Sequence, residues 1–152
     1  MGFDDRLDEL GIELPPAAAP VASYVPVTTA AGLAFVAGQV PLEGGTPIAT
    51  GRVGEAVSVE EGNALARRCA LQALAALRQE LGSLDRIRRI AKVTVWVASQ
   101  VGFTAHPQVA NGASDVLVEI FGDVGKHARA AVGAPSLPLG VPVEVELVVE
   151  LT

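Results

Sequence analysis

Residues 127–151 read HARAAVGAPSLPLGVPVEVELVVEL. In the second half of this stretch Val143, Val145, Leu147, Val149 and Leu151 alternate with Glu144, Glu146, Val148 and Glu150. A period of two is that of a strand with one apolar face, so the stretch ends in a half-buried strand. A second strand is predicted over residues 129–134, joined to the last one through the turn at Leu137-Pro138. The same stretch sets one arginine, Arg129, ahead of a strand lined with glutamates. A cation able to hold a carboxylate and an acid able to handle water are thus near each other in sequence.

Working outward, residues 90–98 alternate as well, with Val93, Val95 and Val97 on one face and Lys92, Thr94 and Trp96 on the other. Before them Ser58 and Glu61 form the pattern Ser-x-x-Glu, in which each side chain can satisfy an exposed amide of the other at a helix start. A long helix is predicted from there to Gly82, with Ala66, Ala70, Leu74, Leu77 and Leu81 on its apolar face. Arg67, Arg68, Gln72, Arg78 and Gln79 keep its other directions polar. Cys69 falls inside this helix, and nothing in the sequence lowers its pKa, so it reads as a small buried hydrophobe. A second helix is predicted over residues 113–121, stopped by Gly122. An opening hairpin pairs residues 21–27 with residues 33–37 around Ala30-Ala31-Gly32, and residues 41–54 lack periodicity and read as a loop.

At the start, Phe3, Leu7 and Leu10 have helical spacing and Pro15 and Pro16 end it. Residues 1–17 are therefore read as an N-terminal helix and linker, and residues 18–152 as one domain. The resulting order is β-β-α-β-α-β-β, an α+β sandwich with two helices covering one face of a mixed sheet. The other face carries Trp96 and Val148 among charges, which predicts association of subunits.

Composition narrows the function. Of the 152 residues half are apolar, enough for one substantial core. A net charge of −6 and the lack of a Lys/Arg run speak against nucleic acid, whose phosphates demand clustered cations. One cysteine excludes an internal disulfide, and two histidines offer no structural zinc spacing, so no metal is expected. The acidic start MGFDDRLDEL is unlike a signal peptide, and no apolar run reaches the roughly 18 residues that span a bilayer. No membrane association and a cytoplasmic location are expected.

Several segments together carry a family resemblance: Tyr24 in PVASYVP, Val36-Ala37-Gly38-Gln39-Val40-Pro41, Val93-Thr94-Val95-Trp96-Val97, and Ala128-Arg129-Ala130-Ala131-Val132 leading through Leu137-Pro138 to Val143-Glu144-Val145-Glu146. In this order, over roughly residues 18 to 151, they resemble the Rid (YjgF-type) family of reactive-intermediate deaminases. The N-terminal helix and the wording around Asn111 and Lys126 place the chain in a less characterised branch. The resemblance implies a chorismate-mutase-like fold, a homotrimer whose sheets form a central barrel, and a cleft at each subunit interface. It also implies cofactor-free hydrolysis of enamines and imines such as 2-aminoacrylate or 2-iminobutanoate to 2-keto acids and ammonia.

On that resemblance Arg129 is the carboxylate anchor, a task suited to a guanidinium because it forms two parallel hydrogen bonds. Glu144, fifteen residues later, takes the place of the acid that orients water and shuttles a proton. Tyr24 matches an aromatic wall of the cleft, and Gly38 a position where a backbone amide approaches the ligand. Ala37 and Ala131 replace the serine and cysteine common in the family, with backbone groups at Ala131 still able to contact substrate. The asparagine of the second helix aligns with Asn111, Ser114 or Asp115, and Ser114 is taken as the substrate contact. His127, two residues before Arg129, and His106 are further acid/base candidates. A binding module that holds a small carboxylate or keto acid without turnover is the alternative, and a ribonuclease a more distant one.

Overall fold

The computed structural model describes residues 1–19 and 22–152. Helix α1 (Phe3–Leu10) is followed by strands β1 (Val27–Ala30) and β2 (Leu33–Gln39), a small hairpin of β3 (Leu42–Glu43) and β4 (Thr46–Pro47), and helix α2 (Val59–Leu81). Strand β5 (Ile87–Ala98), helix α3 (His106–Phe121), β6 (Ala128–Ala134) and β7 (Val143–Leu151) complete the chain. Both long helices pack on one face of a five-stranded mixed sheet of order β1-β2-β7-β5-β6.

Strand β7, the last made, lies in the middle. It pairs antiparallel with β2 on one side and with β5 on the other, while β5 and β6 are parallel neighbours joined through α3. The predicted alternation holds: Val143, Val145 and Val149 are fully buried and Leu147 nearly so, beneath the helices. Val93, Val95 and Val97 of β5 bury on that same face. Placing these side chains under two helices supplies the apolar driving force that a bare sheet lacks.

Helix α2 starts as predicted. Ser58 Oγ accepts from the Glu61 amide at 3.1 Å, and Glu61 Oε2 accepts from the Ser58 amide at 2.9 Å. Its end is Gly82 in the left-handed region at φ 83°, with the amide donating to the Arg78 carbonyl at 2.9 Å. Gln72 departs from the prediction: it is 7% exposed, not a solvent-facing residue. Its Nε2 donates to the Val40 carbonyl at 2.7 Å and its Oε1 accepts from the Leu42 amide at 3.1 Å, and Arg68 donates to the Leu42 carbonyl at 2.9 Å. These bonds tether the β3-β4 hairpin to α2, within the segment read as structureless. The Gly44-Gly45 turn, with φ of 58° and 80°, was the signal for that hairpin.

Two further boundaries move. Residue 21, at the start of the predicted first strand, lies outside the described residues, and within them the strand begins only at Val27. Pro26 has no amide to donate to the ladder, so the pairing opens with its carbonyl, which accepts from the Ala37 amide at 2.8 Å. Helix α3 begins at His106, two turns before the predicted Ala113. Gly112, outside the predicted helix, sits inside α3 where α2 comes too close for any side chain. A Cβ on Gly112 would collide with the Asn63 carbonyl.

Helix α1 belongs to the same core: Leu7 is 2% exposed, and the Phe3 ring lies 4.5 Å from that of Phe121. Among the described residues no helix is long and apolar enough to cross a membrane. The Gly112 contact is directly testable. Gly112→Ala should lower stability by about 1–3 kcal/mol through overpacking of the α2-α3 interface, read as a reduced melting temperature in thermal denaturation. An unchanged melting temperature would refute the close approach.

Candidate functional site

Arg129 stands on β6, an edge strand, in register with Val93 of β5. Because Val93 points into the core beneath the helices, Arg129 also rises toward the helix layer. There its Nη1 donates to Asn111 Oδ1 at 2.8 Å and to Ser114 Oγ at 3.1 Å. Asn111 and Ser114 are three apart on α3 and so share a helix face. Of the three α3 candidates the structure brings these two to Arg129, while Asp115 is exposed.

Ser114 has a second partner. His127 Nε2 lies 2.9 Å from Ser114 Oγ, and His127 Nδ1 lies 2.6 Å from the Gly125 carbonyl oxygen. A carbonyl cannot donate, so Nδ1 carries the hydrogen and, in the neutral ring, Nε2 accepts from the Ser114 hydroxyl. Burial holds the His127 pKa below the ordinary imidazole range; the bond to Gly125 opposes that shift and the Arg129 charge adds to it. The neutral ring and the half-buried arginine thus belong to one hydrogen-bonded group.

Two of the five guanidinium protons are spent on Asn111 and Ser114. Among the described residues nothing accepts from Nε or Nη2, and no acid pairs with Arg129. The held nitrogen fixes the plane, and the remaining edge can offer two parallel N–H groups to a carboxylate.

Glu144 lies elsewhere. It is in register with Trp96 of β5, on the sheet face away from the helices. Val93 and Trp96, their register partners on β5, face opposite ways, so within one chain Arg129 and Glu144 point to opposite sides of the sheet. Adjacency in sequence did not translate into adjacency in space, because the Leu137-Pro138 connection carries β7 across β5. The partner of Glu144 is instead Gly38, at the point where the β2-β7 register shifts between Val36 and Gln39. A Cβ at Gly38 would overlap the Glu144 carboxylate. Burial raises the Glu144 pKa, and the neighbouring Glu146 raises it further.

Ala131 shares the helix-facing side of β6 with Arg129, in register with Val95. Tyr24 precedes β1 and is 54% exposed, with its ring open to solvent. His106 sits toward the far end of β6, with Nε2 3.5 Å from Ser99 Oγ and its ring 5.0 Å from that of Phe103. Cys69 is fully buried and its thiol pKa is pushed up, first by burial and then by the Glu144 charge. Among the described residues no three of His, Cys, Asp or Glu gather to hold a metal ion. The two-residue spacing of His127 and Arg129 pointed to a shared face, but the Ser114 bridge depends on how α3 packs over β6, which spacing along the chain does not give.

A family model described as "YjgF/chorismate_mutase-like, putative endoribonuclease" matches residues 4–151. The chain belongs to the YjgF/chorismate mutase-like family. Within this family, the chain is 46% identical over 147 residues to Protein TCP17 of Trypanosoma cruzi, covering 96% of this chain and 92% of that protein. A protein of unknown function from Agrobacterium tumefaciens superposes with a TM-score of 0.90 at 41% identity, covering 99% of this chain and 93% of that one. A Shewanella oneidensis protein described as "a putative endoribonuclease" gives a TM-score of 0.94 at 34% identity, covering 99% and 100%. The YjgF-type fold inferred from the sequence segments is thereby shown, including the mixed sheet with its helices on one face.

The Gly38-Glu144 contact predicts a non-additive pair. Gly38→Ala should cost about 1–3 kcal/mol in chemical denaturation, and markedly less in a Glu144→Ala background, where the colliding carboxylate is gone. Equal costs in the two backgrounds would show that Glu144 does not lie over Gly38.

Proposed function

We propose that the chain is a cofactor-free hydrolase of 2-imino and 2-enamino acids, working at the interfaces of a homotrimer. The observation that carries this reading is Arg129, held through Nη1 by Asn111 and Ser114, with the Nε and Nη2 protons left without a partner among the described residues. Such an arginine is preorganised for a carboxylate, since the ordering cost of its long side chain is met before the ligand arrives.

The chemistry asks little more. An enamine first takes a proton at its β-carbon to become the imine. Water adds to the electrophilic imine carbon, forming the C–O bond while one of its protons passes to nitrogen. The carbinolamine then gives its hydroxyl proton to nitrogen as the C=O bond forms and the C–N bond breaks, releasing ammonia and the 2-keto acid. Glu144 is assigned the water and the proton transfer; its raised pKa brings it nearer the range where a carboxyl both takes and returns a proton. Because Arg129 and Glu144 of one chain face opposite ways, the pair would be completed between subunits. Tyr24, Gly38 and Ala131 would line the same cleft, and Ser114 would act from behind Arg129.

The open sheet face supports the assembly. Phe35 is 40% exposed, Trp96 36% and Val132 38%, on a face that no helix covers. Burying those side chains against a second copy would remove them from water. Native mass spectrometry should give a trimer, and Trp96→Glu should shift it to monomer by placing a charge on that apolar face. A wild-type monomer at micromolar concentration would sink the assembly.

For activity, 2-aminoacrylate or 2-iminobutanoate is generated by a pyridoxal-phosphate dehydratase and trapped with semicarbazide. Wild type should compete with the trap. Arg129→Ala should lose about 10²-fold or more in kcat/KM, and Glu144→Gln about 10²–10⁴-fold with KM less affected. No effect of wild type on trapping across several imino acids would overturn the hydrolase reading.

The separation of Arg129 from Glu144 within the chain also favours a second reading, in which Arg129 alone holds a small carboxylate or keto acid without turnover. Keto-acid binding lost in Arg129→Ala, with no turnover of any imine, would select it. The net charge of −6 leaves RNA cleavage the weakest of the three.

A further inference from the structure

His127 is not needed to hold Arg129, which already has Asn111 and the Ser114 oxygen. Yet the bonds from the Gly125 carbonyl to the guanidinium run without a gap: 2.6 Å to His127 Nδ1, 2.9 Å from Nε2 to Ser114 Oγ, and 3.1 Å from there to Arg129 Nη1. With His127 neutral, Ser114 donates to the ring and accepts from the arginine, so every hydrogen has an acceptor. A proton on Nε2 would turn both neighbours of Ser114 into cationic donors, and the hydroxyl hydrogen would have to swing away. Protonating His127 thus sets a second positive charge behind Arg129, one hydroxyl away.

We propose that His127 is a further member of the Arg129 carboxylate site, coupled to it through the Ser114 hydroxyl, and that a carboxylate bound at Arg129 is held more tightly when His127 carries a proton. This rests on the reading of Arg129 as carboxylate anchor. An anion at Arg129 offsets the repulsion between guanidinium and imidazolium, so by linkage it raises the proton affinity of His127, and protonation strengthens anion binding by the same factor.

The surrounding charges leave this coupling undisturbed. Asp123 and Lys126, on the turn before β6, pair with one another at 2.8 Å and are exposed. On α3, Asp115 is exposed and Glu119 pairs with Arg67 at 3.1 Å. Lys92 of β5 is in register with Ala128 and points to the open face. Among the described residues Arg129 is the charged group nearest the imidazole in the hydrogen-bonded chain, and its charge lowers the His127 pKa. His127 is a positioning residue, since it reaches the ligand only through Ser114.

The chain has two histidines, so His106→Gln assigns the ring nitrogens in a ¹H–¹⁵N spectrum of the full-length protein. The free protein should show His127 as the Nδ1-protonated tautomer. Its titration midpoint should rise in Arg129→Gln without ligand, and in wild type with saturating pyruvate, the keto acid produced from 2-aminoacrylate. In calorimetry the pyruvate Kd should fall by roughly threefold or more as pH drops from 8 through that midpoint, as one added charge in a partly solvated site would give. It should be flat with pH in His127→Gln, and the titration of wild type keeps the test standing if that variant fails to fold. A midpoint unmoved both by Arg129→Gln and by pyruvate, or pyruvate binding indifferent to pH, overturns the coupling alone. Failure of pyruvate to bind wild type at either pH overturns the anchor reading and this proposal with it.

Discussion

Everything else in the fold depends on the position of the last strand, β7, between β2 and β5. Without it, β2 and β5 have no common neighbour and the apolar face under α2 and α3 is split. With it, two antiparallel ladders meet and Val143, Val145, Leu147 and Val149 fill the gap beneath the helices. The contacts are far apart in sequence, so the loop entropy must be met before any of them forms. Small residues make the closure possible at the layer above: Gly112 lets α3 lie against the Asn63 carbonyl of α2.

The central position of β7 also divides the chemistry. Leaving β6, the chain must cross β5 to reach its slot, and the register on either side of β5 sets Arg129 toward the helix layer and Glu144 on the open face. Each residue then acquires its own setting. Arg129 meets polar groups of α3 that hold one nitrogen and leave an edge free, whereas Glu144 lies over a glycine at a register shift, half-buried and with its proton held more firmly. Under the proposed hydrolase reading, the two groups would meet only across an interface between copies of the chain, where its uncovered apolar face would also be buried.

The elements with strict periodicity were legible from the residues. The β7 and β5 alternations, the Ser58-Glu61 cap and the Gly82 stop each reflect forces acting within a few residues, and each stands as read. Where reading failed, a distant group overrode a local signal. The second helix is predicted from Ala113, whereas α3 runs from His106, packed along α2; Gln72 looks like a surface residue until Val40 and Leu42 are brought to its amide. Pro26 delayed the first strand for a local reason that was available, as was the Gly44-Gly45 hairpin turn.

For the candidate site the division is sharper. From the sequence alone came the fold class, the helix and strand faces, and the residue types on them: an arginine at a strand start, a glutamate on the polar side of the last strand, a glycine and an alanine flanking them. The faces follow from spacing, because alternation and capping depend only on near neighbours along the chain, whereas the choice of those four residues rests on the family resemblance. Only the tertiary structure decided that Arg129 joins Asn111, Ser114 and His127, that Glu144 joins Gly38 instead, and that the two groups lie on opposite faces. Those partners are set by which strands become neighbours, and sheet order is a property of the closed core that no local pattern encodes.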